Sequence, residues 1–302
     1  MDILDSANLR KASGLKGASV AIGVFDGLHL GHESLIHSCV NDASSSGSKS
    51  AIVTFDIDPD ELFSKEPKKI MTNEQRMRHL SASGVDDVVS VTFDEGTASL
   101  EPNCFLDSLF GKNVPASIHV GSDFRFGREK AGDVATLSDW CDRNGVRLYV
   151  HELVKKNGGH VKSTRIRKLL EDGMIEDANE LLGHPYTICG NVKHGRGEGS
   201  SFGIATANIQ ADCLLKEGVY SGFGEIDSRK YMAAINIGIP PTFEDRSHDN
   251  VEVHLLDFQG DLYDKTLCIE FVERLRPLIR FNSTEELIAQ ITSDIEHVRK
   301  SL

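Results

Sequence analysis

The apolar residues of this 302-residue chain change rhythm once, and that change limits the folds open to it more than any other feature. Up to about Gly183, short β-rich runs alternate with segments whose apolar residues recur at helical spacing. SVAIGVF (Ser19 to Phe25) is followed by Leu35, Ile36, Cys39, Val40 and Ala43 on one helical face. AIVTF (Ala51 to Phe55) is followed by a helix that Thr72 opens, with Gln75 in capping-box position, and that closes near Gly84. DVVSVTF (Asp87 to Phe93) precedes a helix with Pro102 in its first turn. SIHVG (Ser117 to Gly121), a helical stretch around Leu137 to Arg143, and VRLYV (Val146 to Val150) complete about five strands. Such alternation predicts a doubly wound parallel α/β sheet, whose ligand sites lie beyond the carboxyl ends of the strands.

From Tyr186 the runs become YTICGNV, VYSGFGEI, YMAAINIG, VEVHLLDF and LCIEFV, separated by Gly, Asp, Asn and Pro turns. This rhythm predicts an antiparallel β-barrel. A last helix follows: Ser283 with Glu286 forms a capping box, and Leu287, Ile291, Ile295, Val298 and Leu302 line one face for packing on the barrel. The intervening STRIRKLLEDGMIEDANELLGHPY (Ser163 to Tyr186) reads as two short helices compatible with either part. The expected domains are therefore 1–183 and 184–302.

Charge narrows the partners. The 46 acidic and 33 basic residues leave a formal charge of −13, with acids in excess in both halves. A nucleic-acid binder needs a cationic surface to displace counterions from phosphate, so nucleic acid and anionic membranes are not expected as partners. Anionic small molecules remain, because helix N-termini and a few local cations hold them. The N-terminal MDILDSANLRK carries acids where a signal peptide needs basic residues, and no apolar run has the length of a membrane span. The expected location is cytoplasmic, with homo-oligomerisation left open. Cys39, Cys104, Cys141, Cys189, Cys213 and Cys268 are widely spaced without a C-x-x-C pair, and are expected to be reduced, mostly core thiols.

GVFDGLHLGH (Gly23 to His32) leaves a strand and opens a helix. Gly23 and Gly27 permit a tight path there, Gly31 lets a ligand approach the backbone, and His29 and His32 present imidazoles beside the helix N-terminus. Unsatisfied N–H groups and the helix dipole favour phosphate at such a place, and imidazoles can donate to charge developing on a phosphoryl group. The ten-residue run resembles the signature of nucleotidyltransferases. VGSDFRFG (Val120 to Gly127), STRIR (Ser163 to Arg167), Leu181 to Tyr186, Thr206 with Asn208, Gly218-Val219-Tyr220, NIGIPPTF (Asn236 to Phe243) and VEVHLLDF (Val251 to Phe258) then follow in order. In that succession the chain is similar to the bacterial bifunctional riboflavin kinase and FAD synthetase family.

The resemblance implies an FMN adenylyltransferase domain followed by a riboflavin kinase domain, with ATP, riboflavin and FMN as small-molecule substrates and Mg²⁺ accompanying ATP. His29 and His32 would act on the phosphates in flight. Gly23, Phe25, Asp26, Gly31, Asp123, Lys162, Ser163, Thr164 and Arg167 would bind ATP or phosphate in the first domain. Capping alone accounts equally well for Ser163 and Thr164. In HGRGEGSSFGIATANI (His194 to Ile209), Gly195, Gly197 and Gly203 would hold phosphate, and Thr206 and Asn208 would ligate Mg²⁺. Glu252 alternates with Val251 and Val253, which alone suits a solvent-facing carboxylate; the resemblance assigns it as the base that deprotonates the riboflavin 5′-hydroxyl.

Four departures from the family pattern stand out. Asp58 replaces the histidine of the family's Pro-His-Pro, which leaves either repulsion of phosphate or help with Mg²⁺. His160 stands where an arginine is usual, with Lys162 as the nearby cation able to compensate. Ala205 replaces a proline, and Asp264 a glycine, a substitution that aspartate tolerates at positive φ. Three other functions stay open on these residues: a riboflavin kinase with weak or lost adenylyltransferase activity, a non-catalytic flavin- or nucleotide-binding regulator, and a cytidylyltransferase. The last leaves the barrel half unexplained.

Overall fold

Six parallel strands form the sheet of the first half: β1 (Asp2–Leu4), β2 (Ser19–Ile22), β3 (Ser50–Phe55), β4 (Asp87–Val91), β5 (Ser117–Gly121) and β6 (Arg147–His151). The computed structural model describes residues 2–4, 13–65, 68–193, 206–238 and 250–302. The strand order is β1-β4-β3-β2-β5-β6, so the chain winds outward in one direction from β2 and then in the other from β5. All five strands read from the sequence are present. The first stops at Ile22, short of Phe25, because the backbone turns through positive φ at Phe25 (61°) and Gly27 (78°). The acidic β1 extends the sheet beyond those five by pairing with β4.

Helices cover both faces: α1 (Leu30–Ser46), α2 (Pro59–Phe63), α3 (Asn73–Ser81), α4 (Glu95–Ala98), α5 (Pro102–Phe110) and α6 (Val134–Asn144). On one face Leu106, Phe110, Leu137 and Trp140 pack among Val20, Val53, Ile118 and Val120. On the other, Leu35, Ile36, Cys39 and Leu80 pack with Ala21, Ile52 and Val88. Full burial of each such side chain stabilises by about 1.5–3 kcal/mol, which makes two apolar layers the main support of the sheet. Thr72 and Gln75 form the reciprocal box read from the sequence, each side chain accepting the other's backbone N–H.

A polar cluster lies between α1 and β2, β5 and β6. Asp42 of α1 accepts hydrogen bonds from Ser19 (2.6 Å), Ser117 and Tyr149 (3.2 Å), and Arg147 lies 3.3 Å away. Nε2 of His119 stands 3.5 Å from the carboxylate without forming a hydrogen bond, while its Nδ1 meets Nε2 of His151 at 3.0 Å. Burial drives the His119 pKa down from 6.5 to about 4, against the pull of Asp42. For Asp42, burial acts upward, but hydrogen bonds from Ser117 and Ser19 and the Arg147 charge win and hold it at about 2.

Contacts divide the chain into compact units of 1–163 and 164–302. The two helices expected after Ser163 are α7 (Ser163–Asp172) and α8 (Ile175–Leu182), which Gly183 ends at φ 84°. They fall almost wholly in the second unit, α8 lying against the barrel strands, so this division differs from one at 183/184. The strands β9 (Tyr186–Lys193), β10 (Ala207–Gln210), β11 (Gly218–Ile226), β12 (Arg229–Ile237), β13 (Asn250–Leu255) and β14 (Thr266–Arg276) close into an antiparallel barrel, ordered β10-β13-β12-β11-β14-β9. The short β10 is additional to the five runs read from the sequence. The final helix α9 (Thr284–Ser301) packs against β12; Ser283 accepts the Glu286 N–H, while Glu286 reaches the N–H of Asn282.

One cysteine expectation is corrected. Cys189 and Cys268 form a disulfide, because the antiparallel register of β9 and β14 sets them directly opposite, 4.1 Å apart at Cα. The remaining four are free thiols, with Cys104 exposed and Cys39, Cys141 and Cys213 buried. Asp264 does occupy positive φ, at 61°.

Candidate functional site

Strand order reverses between β2 and β5, the place at whose carboxyl end open α/β sheets bind their ligands, and GVFDGLHLGH leads from β2 into α1 there. His29 is the N-cap of α1: its Nδ1 accepts the N–H of His32 at 3.3 Å. With Nδ1 used as an acceptor, the neutral ring carries its proton on Nε2, which makes that atom a donor. The His29 and His32 rings stack with centroids 3.6 Å apart, and Phe25 meets the His32 ring edge-on at 5.2 Å. Burial, and secondarily His29, holds the His32 pKa well below 6.5, so it is neutral near pH 7. Its buried Nδ1 has no hydrogen-bond partner. At Gly31 a Cβ would stand 3.1 Å from the His29 ring, so glycine is what allows the imidazole to lie over the helix end.

The other sequence-predicted residues fall into two groups. Gly23 ends β2, its N–H donating to Val53 O at 3.1 Å. The buried Asp26 carboxylate accepts the N–H groups of Ile70 (3.0 Å) and Met71 (3.4 Å), and its carbonyl accepts the Ser163 hydroxyl at 3.0 Å. Asp26 and Ser163 thus fasten the loop around the histidines. Beyond β5, Asp123 pairs with Lys162 at 2.8 Å, so two residues read separately as phosphate contacts hold one another. His160 is exposed on a hairpin of β7 (Lys155–Lys156) and β8 (Gly159–His160). Thr164 is exposed in the first turn of α7 and Arg167 half-buried one turn on; both group with the second unit.

Asp58 is the buried N-cap of α2, accepting the Asp60 N–H at 3.0 Å while its own N–H donates to Glu61 at 2.8 Å. Two further residues here escaped the sequence reading. Phe63, 74% exposed at the end of α2, meets Phe93 edge-on and offers an apolar face. Arg76, only 2% exposed, donates to Val24 O (2.7 Å) beyond β2 and Phe55 O (2.8 Å) at the end of β3. The available signal was position: Arg76 lies one helical turn before the buried Leu80, on the core stripe of α3.

In the second unit the site is made by register. Asn208 of β10 and Asn236 of β12 are the two cross-strand partners of Glu252 on β13, and Lys193 of β9 is the next partner beyond Asn208. Directly opposed residues share a sheet face. Ala207, Ile209, Ile235, Ile237, Val251 and Val253 fill the interior, which leaves Asn208, Glu252 and Asn236 as a half-buried polar row on the other face. Thr206 is exposed just before β10. Asn236 is the member the sequence reading missed, since only the β12–β13 register reveals it. Gly195, Gly197, Gly203 and Ala205 lie outside the described residues.

A doubly wound sheet with imidazoles at a helix N-terminus, followed by a closed barrel with an Asn-Glu-Asn row, defines a two-domain nucleotide-dependent transferase. The FAD synthetase family matches residues 11–165 and the riboflavin kinase family residues 182–302. Proteins described as bifunctional riboflavin kinase/FMN adenylyltransferase align along most of their length. That of Listeria monocytogenes is 32% identical over 93% of this chain and 91% of its own; that of Bacillus subtilis is 34% identical over 91% and 89%. The Escherichia coli K12 protein is 33% identical over 92% and 91%. A crystal structure from Streptococcus pneumoniae, described as a macrolide-efflux protein, covers 99% of both chains at TM-score 0.86 and 29% identity. The chain belongs to the bifunctional riboflavin kinase/FMN adenylyltransferase family.

Proposed function

We propose that this chain converts riboflavin to FMN in its barrel and FMN to FAD on its parallel sheet, consuming ATP in each step. The observation that carries this reading is the presence of both family matches, in order, in a chain that aligns nearly end to end with bifunctional relatives. In the barrel, Glu252 takes the proton from the riboflavin 5′-hydroxyl as its oxygen attacks the γ-phosphorus and ADP leaves. Asn236 and Asn208, flanking it in register, orient the carboxylate. The donors at hand, the Thr206 hydroxyl and Asn208 amide oxygen beside a carboxylate, are the hard oxygens that suit Mg²⁺. Bound there, Mg²⁺ supplies charge neutralisation to the ATP phosphates.

In the first unit the FMN phosphate attacks the α-phosphorus in line and pyrophosphate departs. Here the chain aligns reactants and stabilises charge instead of forming a covalent intermediate. His29 donates from Nε2, and the Leu30 and Gly31 N–H groups at the start of α1 donate to phosphate oxygens. Gly23, Phe25, Asp26, Gly31 and Ser163 shape this site; Asp123 and Lys162 bind ATP at its rim. Phe63 offers its face to the flavin ring. The acidic balance of the chain supports small-molecule partners over nucleic acid, and the cytoplasm is where ATP is available to both sites. Purified protein incubated with riboflavin, ATP and Mg²⁺ should yield FMN and then FAD by chromatography. FMN alone would leave only the kinase, and unreacted riboflavin would remove the reading altogether.

A further inference from the structure

Among the described residues Arg76 is the one buried arginine or lysine. Its NH1 donates to Val24 O (2.7 Å), and its NH2 donates to Phe55 O (2.8 Å) and Asn73 Oδ1 (3.2 Å), with Asp56 O at 3.4 Å. The chains leaving β2 and β3 are therefore joined through one guanidinium at the carboxyl end of the sheet. The network continues: Asn73 donates to Glu61 (2.9 Å), whose carboxylate also accepts the Asp58 N–H (2.8 Å) and the Lys69 ammonium (2.9 Å). Both Asp26 and Asp58 are buried nearby. Burial pulls the Arg76 pKa below its ordinary value, while Asp58 first, then Asp26, Glu61 and Asp56, hold the charge in place. An arginine fork can hold two carbonyls on separate strands, which a lysine point charge does not reproduce.

We propose that Arg76 is a positioning residue of the adenylyl-transfer site: it fixes the β2 and β3 exits and offsets the carboxylate of Asp58, so that this acid does not repel the phosphates of ATP and FMN. The proposal rests on the reading of FMN adenylylation above. Two consequences separate its parts. The fork sets where the loop bearing His29 begins, which affects turnover. The charge sets the potential felt by incoming phosphates, which affects KM for both anionic substrates.

The test compares Arg76→Met, Arg76→Lys, Asp58→Asn and the double variant R76M/D58N in the full chain. FAD formation from FMN gives KM and kcat, FAD affinity is read by calorimetry, and hydrogen-exchange protection of β2 and β3 serves as the folding control. At an effective dielectric near 20, loss of the Arg76 charge beside the buried Asp58 should raise KM for ATP and for FMN by about tenfold or more in Arg76→Met. Adding Asp58→Asn should return both to within about threefold of the unmodified protein, whereas Arg76→Lys should keep KM and lower kcat by about threefold to tenfold. Unchanged KM in Arg76→Met, or equal impairment with and without Asp58→Asn, overturns the proposal. If Arg76→Met loses that protection, Asp58→Asn decides alone: KM for ATP should fall, and no change overturns the idea. If the unmodified protein makes no FAD, the adenylylation reading fails, and FAD affinity then judges Arg76. The same loss and recovery sustains the charge role, and no FAD binding removes it.

Discussion

The two proposed sites answer the same problem, transfer at phosphorus, with opposite use of the chain. On the parallel sheet the proposed site is drawn from a ten-residue run, because a strand end, a turn and a helix N-terminus are consecutive. In the barrel the row of Asn208, Asn236 and Glu252 is drawn from three strands, and only hydrogen-bond register brings it together. A local site depends on backbone turns and caps. A register site depends on the pairing of the whole barrel.

The largest expected effect tests the barrel row. Glu252→Gln keeps the side-chain shape but cannot accept the proton, so FMN formation should fall by about 10²–10⁴ while FAD formation from supplied FMN stays near normal. Retained kinase turnover would take Glu252 out of the mechanism. For the local site, His29→Ala with His32→Ala should lower FAD formation by roughly 10²–10³ and spare the kinase. Loss of both activities together would show that the two regions do not work independently.

Smaller effects refine the rim and the support. Lys162 must exchange Asp123 for phosphate if it replaces the family's arginine, so Lys162→Ala should reduce FAD synthesis by about tenfold, with His160→Arg nearly silent. A silent Lys162→Ala with an activating His160→Arg would reverse that assignment. The smallest effect concerns stability. His119 has a folded pKa of about 4 against 6.5 unfolded, so only the unfolded chain takes up that proton as pH falls through this window. Its contribution is complete above 6.5 and lost by 4, about 3 kcal/mol over the window. Asp42 holds until pH falls from 3.8 towards about 2. Hydrogen exchange should therefore show the sheet loosening at higher pH than the barrel, and His119→Asn should flatten that slope. An unchanged slope would mean that His119 is not its source.

Legibility followed the same division. Thr72 with Gln75, the strands of the sheet and the His29–His32 run depend on neighbours a few residues away, and their pattern is visible in one dimension. What escaped was decided by distant partners. The acidic β1 is held by β4, and the short β10 by β9 and β13. Asn236 acquires meaning only opposite Glu252, and Arg76 only from carbonyls some 20 or 50 positions earlier. Asp58 was ambiguous in sequence because an acid serves a metal, a phosphate or a helix cap with the same oxygens; the observed hydrogen bonds show the cap.

The pair Cys189 and Cys268 joins the first and last staves of the barrel on adjoining strands, so the bond acts as a hoop across a seam. With the hoop fastened, β9 cannot be peeled from β14, although β10 to β13 remain free to part from one another. In a reducing cytoplasm the hoop is undone and the seam relies on its ladder of backbone hydrogen bonds. A barrel closed both ways keeps its circumference without the sulfur bond, and while the bond is present its β9–β14 edge cannot open.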